Sequence, residues 1–353
     1  MKFKLYAVAA ATLLCTVISQ PTVAMVIGNA DTTTKDYISL ATTPGFTHTD
    51  SYGTASYNSA FSSVGQIYGT SNSGAFAASG VLIAPDWVLT AAHVTSGATS
   101  LTFWLDSGGT NFSRPGGILA DRIITDPLWT GQLSPGYDIG LFHLSAAESC
   151  VGAGTCKTAT LSQNLPGLGQ LVTEVGFGKT GTGKGGATSF DGLKRAGTNT
   201  LDGFYNNGAQ NILLADFDSG TGKDNYLGTR NLTSMEAIIG SGDSGGGLFD
   251  ANGLLLGITS FIWGLDGNAN SDFGDVGGWS NVSSYYSWIH CVINNGAACG
   301  SSALVASNSL GASAELTFVA VPEPAGIALL NLGLAALLAI RRRNSKFKTT
   351  SGV

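Results

Sequence analysis

The chain has 353 residues, which is long enough for one large β domain or for two ordinary domains. Charged residues make up 11% of the sequence and glycine occurs 50 times, whereas averages are about a quarter and about 7%. This composition excludes coiled coils and long charged helices, and 43% hydrophobic residues exclude a wholly disordered chain. The formal net charge of -6 argues against a basic nucleic-acid-binding protein, so no nucleic-acid partner is expected.

Residues 1–24 have the pattern of a secretory signal peptide. Lys2 and Lys4 precede an apolar run at 5–18, and the small residues before Met25 suit signal peptidase. The apolar run is short for a membrane span, so the pattern predicts cleavage and export rather than anchoring. Four of the five cysteines then stay in the exported chain.

The body of the chain, residues 31–300, alternates short β-rich runs with turns of Gly, Ser, Thr and Asn. Helical periodicity is not convincing before residues 283–294. This pattern predicts an all-β sandwich or barrel that is closed by one C-terminal helix. The glycine-rich segment at 178–188, GKTGTGKGGAT, is predicted to be a flexible loop.

The four remaining cysteines lie in two close pairs. Cys150 and Cys156 bracket a Gly-containing turn, and so do Cys291 and Cys299. Two local disulfides are therefore expected in an oxidising compartment. Metal binding is the alternative, but the spacing is not that of a C-x-x-C site and His290 is the single neighbouring histidine.

Three segments carry residue types that suit nucleophilic catalysis. His93 ends the apolar run SGVLIAPDWVLTAAH, Asp138 lies in YDIGLF, and Ser244 lies in GSGDSGGG. A serine hydroxyl needs an imidazole as its base, and the imidazole needs a carboxylate that fixes its tautomer. The glycines allow the backbone N–H groups of Gly242 and Ser244 to form an oxyanion hole. A core histidine, a turn aspartate and a tight loop are the simpler explanations, but together the three segments predict acyl transfer.

The order His, Asp, Ser and the motifs AAH, DIGL and GDSGGG resemble the trypsin-like serine proteases of the chymotrypsin fold. The resemblance runs from about 26 to 293, and we assign residues 25–300 to this domain. It includes GFG at 176–178, LGITS at 256–260 and SWI at 287–289. The resemblance implies two Greek-key six-stranded β-barrels with a C-terminal helix. It also implies a serine endopeptidase that acts on protein or peptide substrates through an acyl-enzyme, without a cofactor or metal.

The resemblance also implies where a substrate binds. Ser260 and Phe261 would offer backbone groups to an extended peptide, which is a form of strand addition. Ile238 falls at the base of the specificity pocket and Ile262 would narrow it, so an apolar residue before the cut is expected. Three acids of the following loop are the alternative lining: Asp266, Asp272 and Asp275.

The segment VIGN, which begins at Val26, resembles the activated N-terminus of the same family. If a cut exposes it, its amino group would bury against Asp243 and order the oxyanion loop. Removal of the signal peptide leaves Met25 in front of Val26, so a further trimming step is expected.

The C-terminal end resembles a PEP-CTERM sorting tail of Gram-negative bacteria. Pro-Glu-Pro at 322–324 precedes a mostly apolar run at 325–340 and the arginines at 341–343. The resemblance covers residues 322–348 and implies a hydrophobic membrane helix at 325–340. The tail would hold the exported protein transiently at the inner membrane until a processing enzyme cuts it, leaving it in the cell envelope or extracellular. A plain membrane anchor is the alternative, and residues 301–321 are a linker or a short strand.

Two other motifs overlap these segments. GKTGTGKG at 178–185 nearly matches a phosphate-binding loop, but Gly185 replaces the required Ser or Thr and no helix is predicted after it. GDSGG at 242–246 also satisfies the nucleophile motif of α/β-hydrolases, with His290 downstream. That fold needs crossover helices, which the sequence pattern does not predict.

Two further alternatives concern binding. Asp216, Asp218 and Asp224 lie close together in sequence and would offer oxygens to calcium, although aspartates in turns need no ion. A non-catalytic surface or matrix-binding protein on a protease fold is the alternative from another functional class. The complete set of catalytic residue types argues against it.

Overall fold

The structure, a computed structural model, covers most of the predicted protease domain. It describes residues 25–28, 33–51, 53–56, 61–105, 109–206, 211–228, 232–295, 299 and 319–320. The predicted signal peptide, the sorting tail and most of the predicted linker lie outside the described residues. No helix in the described part has the length and hydropathy that crossing a membrane requires.

The described residues form 21 strands and four helices. The strands of the first half are β1 (Met25–Ile27), β2 (Thr47–Asp50), β3 (Gly53–Ser56), β4 (Val64–Ser71), β5 (Gly74–Ala84), β6 (Trp87–Thr90), β7 (Ala98–Trp104), β8 (Ile118–Thr125) and β9 (Gly140–Leu144). Those of the second half are β10 (Thr160–Leu161), β11 (Leu171–Gly176), β12 (Thr180–Thr182), β13 (Gly186–Ser189), β14 (Arg195–Thr200), β15 (Gly203–Asn206), β16 (Asn211–Asp216), β17 (Ala237–Ile238), β18 (Gly247–Asp250), β19 (Leu254–Trp263), β20 (Val276–Asn281) and β21 (Val319–Ala320). The helices are α1 (Thr34–Thr42), α2 (Ala92–Thr95), α3 (Ser149–Gly152) and α4 (Val282–Asn295).

Six strands of the first half close into a barrel in the order β4, β5, β6, β9, β8, β7, and β7 pairs again with β4. Alternating side chains of these strands fill its interior, where the rings of Phe103 and Phe142 meet edge to face at 6.0 Å. Closure leaves this group of strands without an exposed edge.

The second half contains a nine-stranded sheet. Its main path runs β14, β11, β18, β19, β20, β16, β15, and both β10 and β21 pair with β19. The side chain of Asn199 on β14 donates to the carbonyl of Asp216 on β16 at 2.9 Å. This bond links β14 to β16 across the sheet, whose interior contains the buried Trp279. We refer to this sheet as the second barrel.

The predicted fold class is confirmed: the chain is mostly β, with a closed six-stranded barrel and a C-terminal helix α4 close to the predicted bounds. Two local predictions were wrong. Residues 178–188 are not a flexible loop, since β12 and β13 form a hairpin there and β1 extends it.

The other missed element is α1. The Thr33 side chain accepts the backbone N–H of Asp36, and the Asp36 carboxylate accepts the Thr33 N–H at 2.8 Å. This reciprocal pair is a capping box. The helix buries Tyr37, Leu40 and Ala41 at helical spacing. The signal for α1 was therefore present in the sequence as a short Thr-x-x-Asp motif before an apolar face.

The two predicted disulfides are present. Cys150 bonds to Cys156 at the start of α3, and Cys291 on α4 bonds to Cys299. Each bond closes a short loop at the surface of its own half of the molecule. The disulfides therefore do not hold the two barrels together.

Candidate active site

His93, Asp138 and Ser244 meet in the cleft between the two barrels. His93 is the second residue of the short helix α2, just after β6; Asp138 lies two residues before β9, and Ser244 lies between β17 and β18. The imidazole Nε2 of His93 is 2.8 Å from the Ser244 hydroxyl oxygen. Its Nδ1 is 2.8 Å from Oδ2 of Asp138. The structure therefore brings together all three residues that the sequence pattern predicts as a triad.

Asp138 is 1% exposed, and hydrogen bonds hold both its carboxylate and its backbone carbonyl. The carboxylate accepts the backbone N–H of His93 at 2.9 Å and a hydrogen bond from the Ser260 hydroxyl. The Ser280 hydroxyl donates to the Asp138 carbonyl at 2.7 Å. Because Nδ1 of His93 faces a carboxylate, that nitrogen carries the proton and Nε2 is left to accept from Ser244.

The residue before Asp138 is strained. Tyr137 has φ of 62°, which is rare for a residue with a side chain. Its backbone N–H donates to the hydroxyl oxygen of Tyr285 on α4 at 2.8 Å. Burial raises the pKa of Tyr285 well above its ordinary value, so this hydroxyl stays neutral. The helix thus fixes the backbone turn that aims Asp138 at the imidazole.

The turn that carries Ser244 is held by both barrels. Ser79 of β5 donates its backbone N–H to the Ser244 carbonyl at 2.9 Å, and the Gly245 N–H donates to Thr259 of β19 at 2.9 Å. Gly245 has φ of 80°, and a Cβ there would collide with the Thr90 hydroxyl and the Ser79 carbonyl. Only glycine allows this close approach.

The loop before Ser244 is fixed by backbone donors. Gly242 has φ of 97°, and its carbonyl accepts the Ser79 hydroxyl at 3.0 Å. The Asp243 carboxylate accepts the N–H of Gly178 at 2.7 Å and that of Gly240 at 2.8 Å. These bonds pre-organise the segment whose N–H groups are the predicted oxyanion donors.

Two buried glutamates lie near Asp243. The pKa of Glu174 is raised well above its ordinary value by burial and then by the charges of Asp243 and Glu236. Burial likewise raises the pKa of Glu236 well above its ordinary value. Burial therefore disfavours the charged form of both glutamates, and a charge on Glu174 would be repelled by that of Asp243. Nothing in the sequence pattern singled out these two acids.

The predicted pocket residues are apolar and buried. Ile238 and Ile262 belong to one apolar cluster with Trp279, while Phe261 belongs to the neighbouring cluster with Val276. The ring of Trp279 lies beside Gly277, where a Cβ would be 2.6 Å from it. These side chains therefore belong to the apolar interior of the second barrel.

The backbone of β21 pairs with the part of β19 that was predicted to receive a substrate. Ala320 lies opposite Phe261, and Val319 lies opposite Ile262, in antiparallel register. The preceding residue of β19, Ser260, contacts Asp138. A segment of the C-terminal region therefore covers the edge nearest the triad.

The three acids of the loop after β19 accept hydrogen bonds from groups of that same loop. The Asp275 side chain is buried and accepts the backbone N–H of Ser271 at 2.7 Å and of Asn270 at 3.0 Å. Burial raises the pKa of Asp275 to about 7, and the charges of Asp272 and Asp266 add to the rise. These contacts leave Asp275 as a loop-stabilising group.

Two aspartates of the predicted calcium alternative also accept hydrogen bonds from their own loop. The Asp216 carboxylate accepts the N–H groups of Tyr226 at 2.6 Å and Leu227 at 2.9 Å, and Asp218 accepts from Asn225. Within the described ranges, no group of three His, Cys, Asp or Glu side chains is arranged to hold a metal ion. The loop is organised by its own N–H donors.

Val26 lies inside the fold as part of β1. It pairs with Gly181 on one side and with Ile238 on the other. Met25 precedes it with φ of 65°, and its N–H donates to the Lys179 carbonyl at 3.0 Å. The predicted activation residue is therefore packed close to the loop that contacts Asp243.

Comparison with known proteins agrees with this geometry. The Trypsin family model matches residues 52–289, which is more than half of the chain. The chain belongs to the trypsin family. Chymotrypsin-like elastase family member 1 from Bos taurus is 30% identical over 264 residues, which are 68% of this chain and 88% of that protein. The same protein from Rattus norvegicus is 28% identical over 236 residues, 61% of this chain and 77% of that protein.

Solved structures show the same fold. The structure of HL collagenase matches with a TM-score of 0.50 at 20% identity, covering 67% of this chain and 96% of that one. Membership of the trypsin family supports peptidase activity and implies peptide substrates. Because disulfides persist in oxidising compartments, the family and the two disulfides together indicate an extracellular protein.

The other interpretations of the motifs do not fit a member of this family. β18 begins at Gly247, three residues after Ser244, where an α/β-hydrolase would have a helix. The segment that resembled a phosphate-binding loop runs into β12 and β13 rather than into a helix. The ring of His290 packs against that of Tyr286 on α4, with 4.3 Å between centroids.

Sequence reasoning missed three residues that support the triad: Ser79, Ser280 and Tyr285. Their side chains are polar in buried segments, which is the one signal that could have found them. Their partners could not be predicted, because each bond joins residues nearly a hundred or more positions apart.

Replacement of Tyr285 by Phe tests the support of the strained turn. Tyr285→Phe leaves the Tyr137 N–H without its acceptor, so we expect unfolding free energy to fall by about 1–3 kcal/mol. Turnover of a peptide substrate should fall as well. Urea unfolding and steady-state kinetics measure both. Tyr286→Phe is the matched control, since that hydroxyl accepts only from exposed Gln163; equal losses in the two variants would contradict the assignment.

Replacement of Asp275 tests the pH dependence of stability. Its folded pKa of about 7 lies above its ordinary 3.8, so between these values the folded state holds a proton that the unfolded state has lost. This residue therefore makes the protein less stable as pH rises through that window. We expect Asp275→Asn to reduce the drop in unfolding free energy between about pH 5 and about pH 8. Asp250→Asn, whose carboxylate accepts the Leu254 N–H in the turn between β18 and β19 and does not act on Asp275, should keep the wild-type slope.

Proposed function

We propose that this protein is an exported serine endopeptidase with His93, Asp138 and Ser244 as its catalytic residues. The observation that carries the proposal is the hydrogen-bonded chain from Ser244 through His93 to the buried Asp138. Its distances suit proton transfer without rearrangement. Membership of the trypsin family is the second support.

The geometry suits a two-step acyl transfer. The Ser244 oxygen attacks the scissile carbonyl while His93 Nε2 takes its proton, and Asp138 stabilises the resulting imidazolium. The N–H groups of Gly242 and Ser244 bind the negative oxygen of the tetrahedral intermediate. His93 then gives the proton to the leaving amine, and water hydrolyses the acyl-enzyme by the same route in reverse.

We propose cleavage after a small apolar residue. Ile238, Ile262 and Trp279 belong to one buried apolar cluster, and none carries a charge for Lys or Arg. The two curated relatives are named elastases, which agrees with such a preference. Ser260 and Phe261 would bind the peptide backbone by strand addition.

We propose that a cut after Met25 completes the site. The Met25 N–H donates to the Lys179 carbonyl, and the Lys179 N–H donates to the Ser241 carbonyl. Lys179 thus links β1 to the loop that carries Asp243, and a free amino group on Val26 would bind the Asp243 carboxylate. An ammonium group there would neutralise Asp243 among buried acids.

We propose that signal peptidase removes residues 1–24 and that the tail at 322–348 is a PEP-CTERM sorting signal. The apolar run at 325–340 and the arginines after it support transient anchoring in the inner membrane of a Gram-negative bacterium. A dedicated enzyme would then cut the tail from the domain at 25–300, leaving residues 301–321 as its linker.

A fluorophosphonate probe tests the nucleophile. The serine oxygen displaces fluoride from phosphorus, and the adduct should form at Ser244 in protein that begins at Val26. Ser244→Ala should lose the adduct and about a million-fold in kcat, because the other groups cannot replace the nucleophile. Mass spectrometry of the labelled peptide and turnover of a peptide library give the two measurements.

Ser241→Ala is the matched control, since it lies in the same loop and should keep the label on Ser244. A folded protein that begins at Val26 and takes up no probe would contradict the proposal. That outcome would favour a binding protein on a protease fold.

A further inference from the structure

A small apolar pocket opens beside the loop that carries Ser244. Its volume is about 160 Å3, and its lining consists of two alanines and four aromatic residues: Ala75, Ala77, Tyr68, Phe76, Phe112 and Phe190. The rings of Tyr68 and Phe112 stack at 4.7 Å between centroids. An apolar pocket lined by aromatic rings next to catalytic residue types is a candidate binding site.

Two residues of the pocket lining, Phe190 and Ala77, lie close to the predicted oxyanion donor Gly242. A Cβ on Gly242 would lie 3.7 Å from the Phe190 ring and 3.8 Å from the Ala77 carbonyl oxygen. Ala77 is two residues before Ser79 on β5, and Ser79 bonds to the Ser244 carbonyl. The pocket therefore lies on the β5 side of the nucleophile.

The opposite side of Ser244 belongs to β19. Thr259 accepts the Gly245 N–H, and the edge of β19 beyond it is the place proposed for the acyl part of a substrate. A peptide that runs along β19 and crosses Ser244 must continue toward β5. The aromatic pocket therefore faces the part of the substrate that follows the cut.

We propose that this pocket binds an aromatic side chain of the substrate within about two residues after the scissile bond. An apolar cavity of about 150 Å3 holds one benzene ring, so the volume suits a Phe or Tyr side chain. The lining carries no charged side chain, which disfavours acidic and basic residues there. This inference rests on the proposed function.

The competition between water and an added amine for the acyl-enzyme tests only the part of the site that binds the residues after the cut. A peptide nitrophenyl ester acylates Ser244, and an added dipeptide amide competes with water for the acyl group. The amine nitrogen forms the new peptide bond, the ester bond to Ser244 breaks, and the amine proton returns through His93 to the serine oxygen. We expect Ala-Phe and Phe-Ala amides to capture at least tenfold more acyl group than Ala-Gly amide.

Two variants locate the effect. Ala75→Trp places a ring at the exposed rim and should abolish the advantage of the aromatic amides, whereas Ser73→Trp in the same hairpin should keep it. Acylation with equal capture of all amides, or an advantage that survives Ala75→Trp, would overturn the pocket. Failure to release nitrophenol at all would overturn the proposed function and the pocket with it.

A different observation concerns the tail. β21 lies antiparallel on Phe261 and Ile262, and its chain direction leads toward Ser260, which contacts Asp138. A substrate that adds to this edge needs the same backbone groups of β19. The two strands cannot occupy the edge together.

We infer that the segment of this chain around Val319 and Ala320 acts as an internal competitor of the substrate. Because it is tethered, its effective concentration at the cleft exceeds that of a dilute peptide. Removal or displacement of this segment would open the site. This second inference also rests on the proposed function.

The test uses the chain from Val26 to its C-terminal residue, kept in detergent. Ala320→Pro weakens pairing with a central part of β19, so KM for a peptide substrate should fall at least fivefold with kcat unchanged. Ala312→Pro, eight residues earlier, is the control and should behave as the unaltered chain. Equal KM in all three active chains would overturn the tail assignment, whereas three inert chains would overturn the proposed function as well.

Discussion

The buried carboxylate of Asp138 is the interaction on which the site depends. Asp138 belongs to the first barrel, but two hydroxyl groups of the second barrel hold it: Ser260 donates to its carboxylate and Ser280 to its backbone carbonyl. Each such bond contributes about 1 kcal/mol net, and bonds to a charged group about twice that. The imidazole of His93 is aligned only when the barrels are docked, so the catalytic geometry is a property of their interface.

The close approach of backbone segments from the two barrels limits how near the barrels can come to each other. At Gly245 the nucleophile turn touches the Thr90 hydroxyl and the Ser79 carbonyl of the first barrel, with no room for a side chain. The strained Tyr137 is the counterpart on the other side, and its donor bond to Tyr285 offsets part of the strain. Strain stored beside a reactive group persists because the surrounding packing over-determines it.

Much of this arrangement could be predicted from sequence because it is encoded locally. The strand runs, helix α4 and the glycine turn around Ser244 each have a short-range pattern. The residues that orient Asp138 have none, since Ser280 and Tyr285 lie more than 140 positions away from their partners. Helix α1 was missed because its apolar face is only three residues wide, and the hairpin of β12 and β13 because glycine-rich sequences also form loops.

The two disulfides join residues only 6 and 8 positions apart. In the chain-entropy model a loop of that size contributes about 2.5 kcal/mol, so the two bonds together contribute about 5 kcal/mol. The net stability of a folded domain is about 5–15 kcal/mol, so thiol oxidation supplies a large share of it. A bacterial cytosol with reduced thiols should therefore yield a markedly less stable domain, which favours an oxidising compartment for its production.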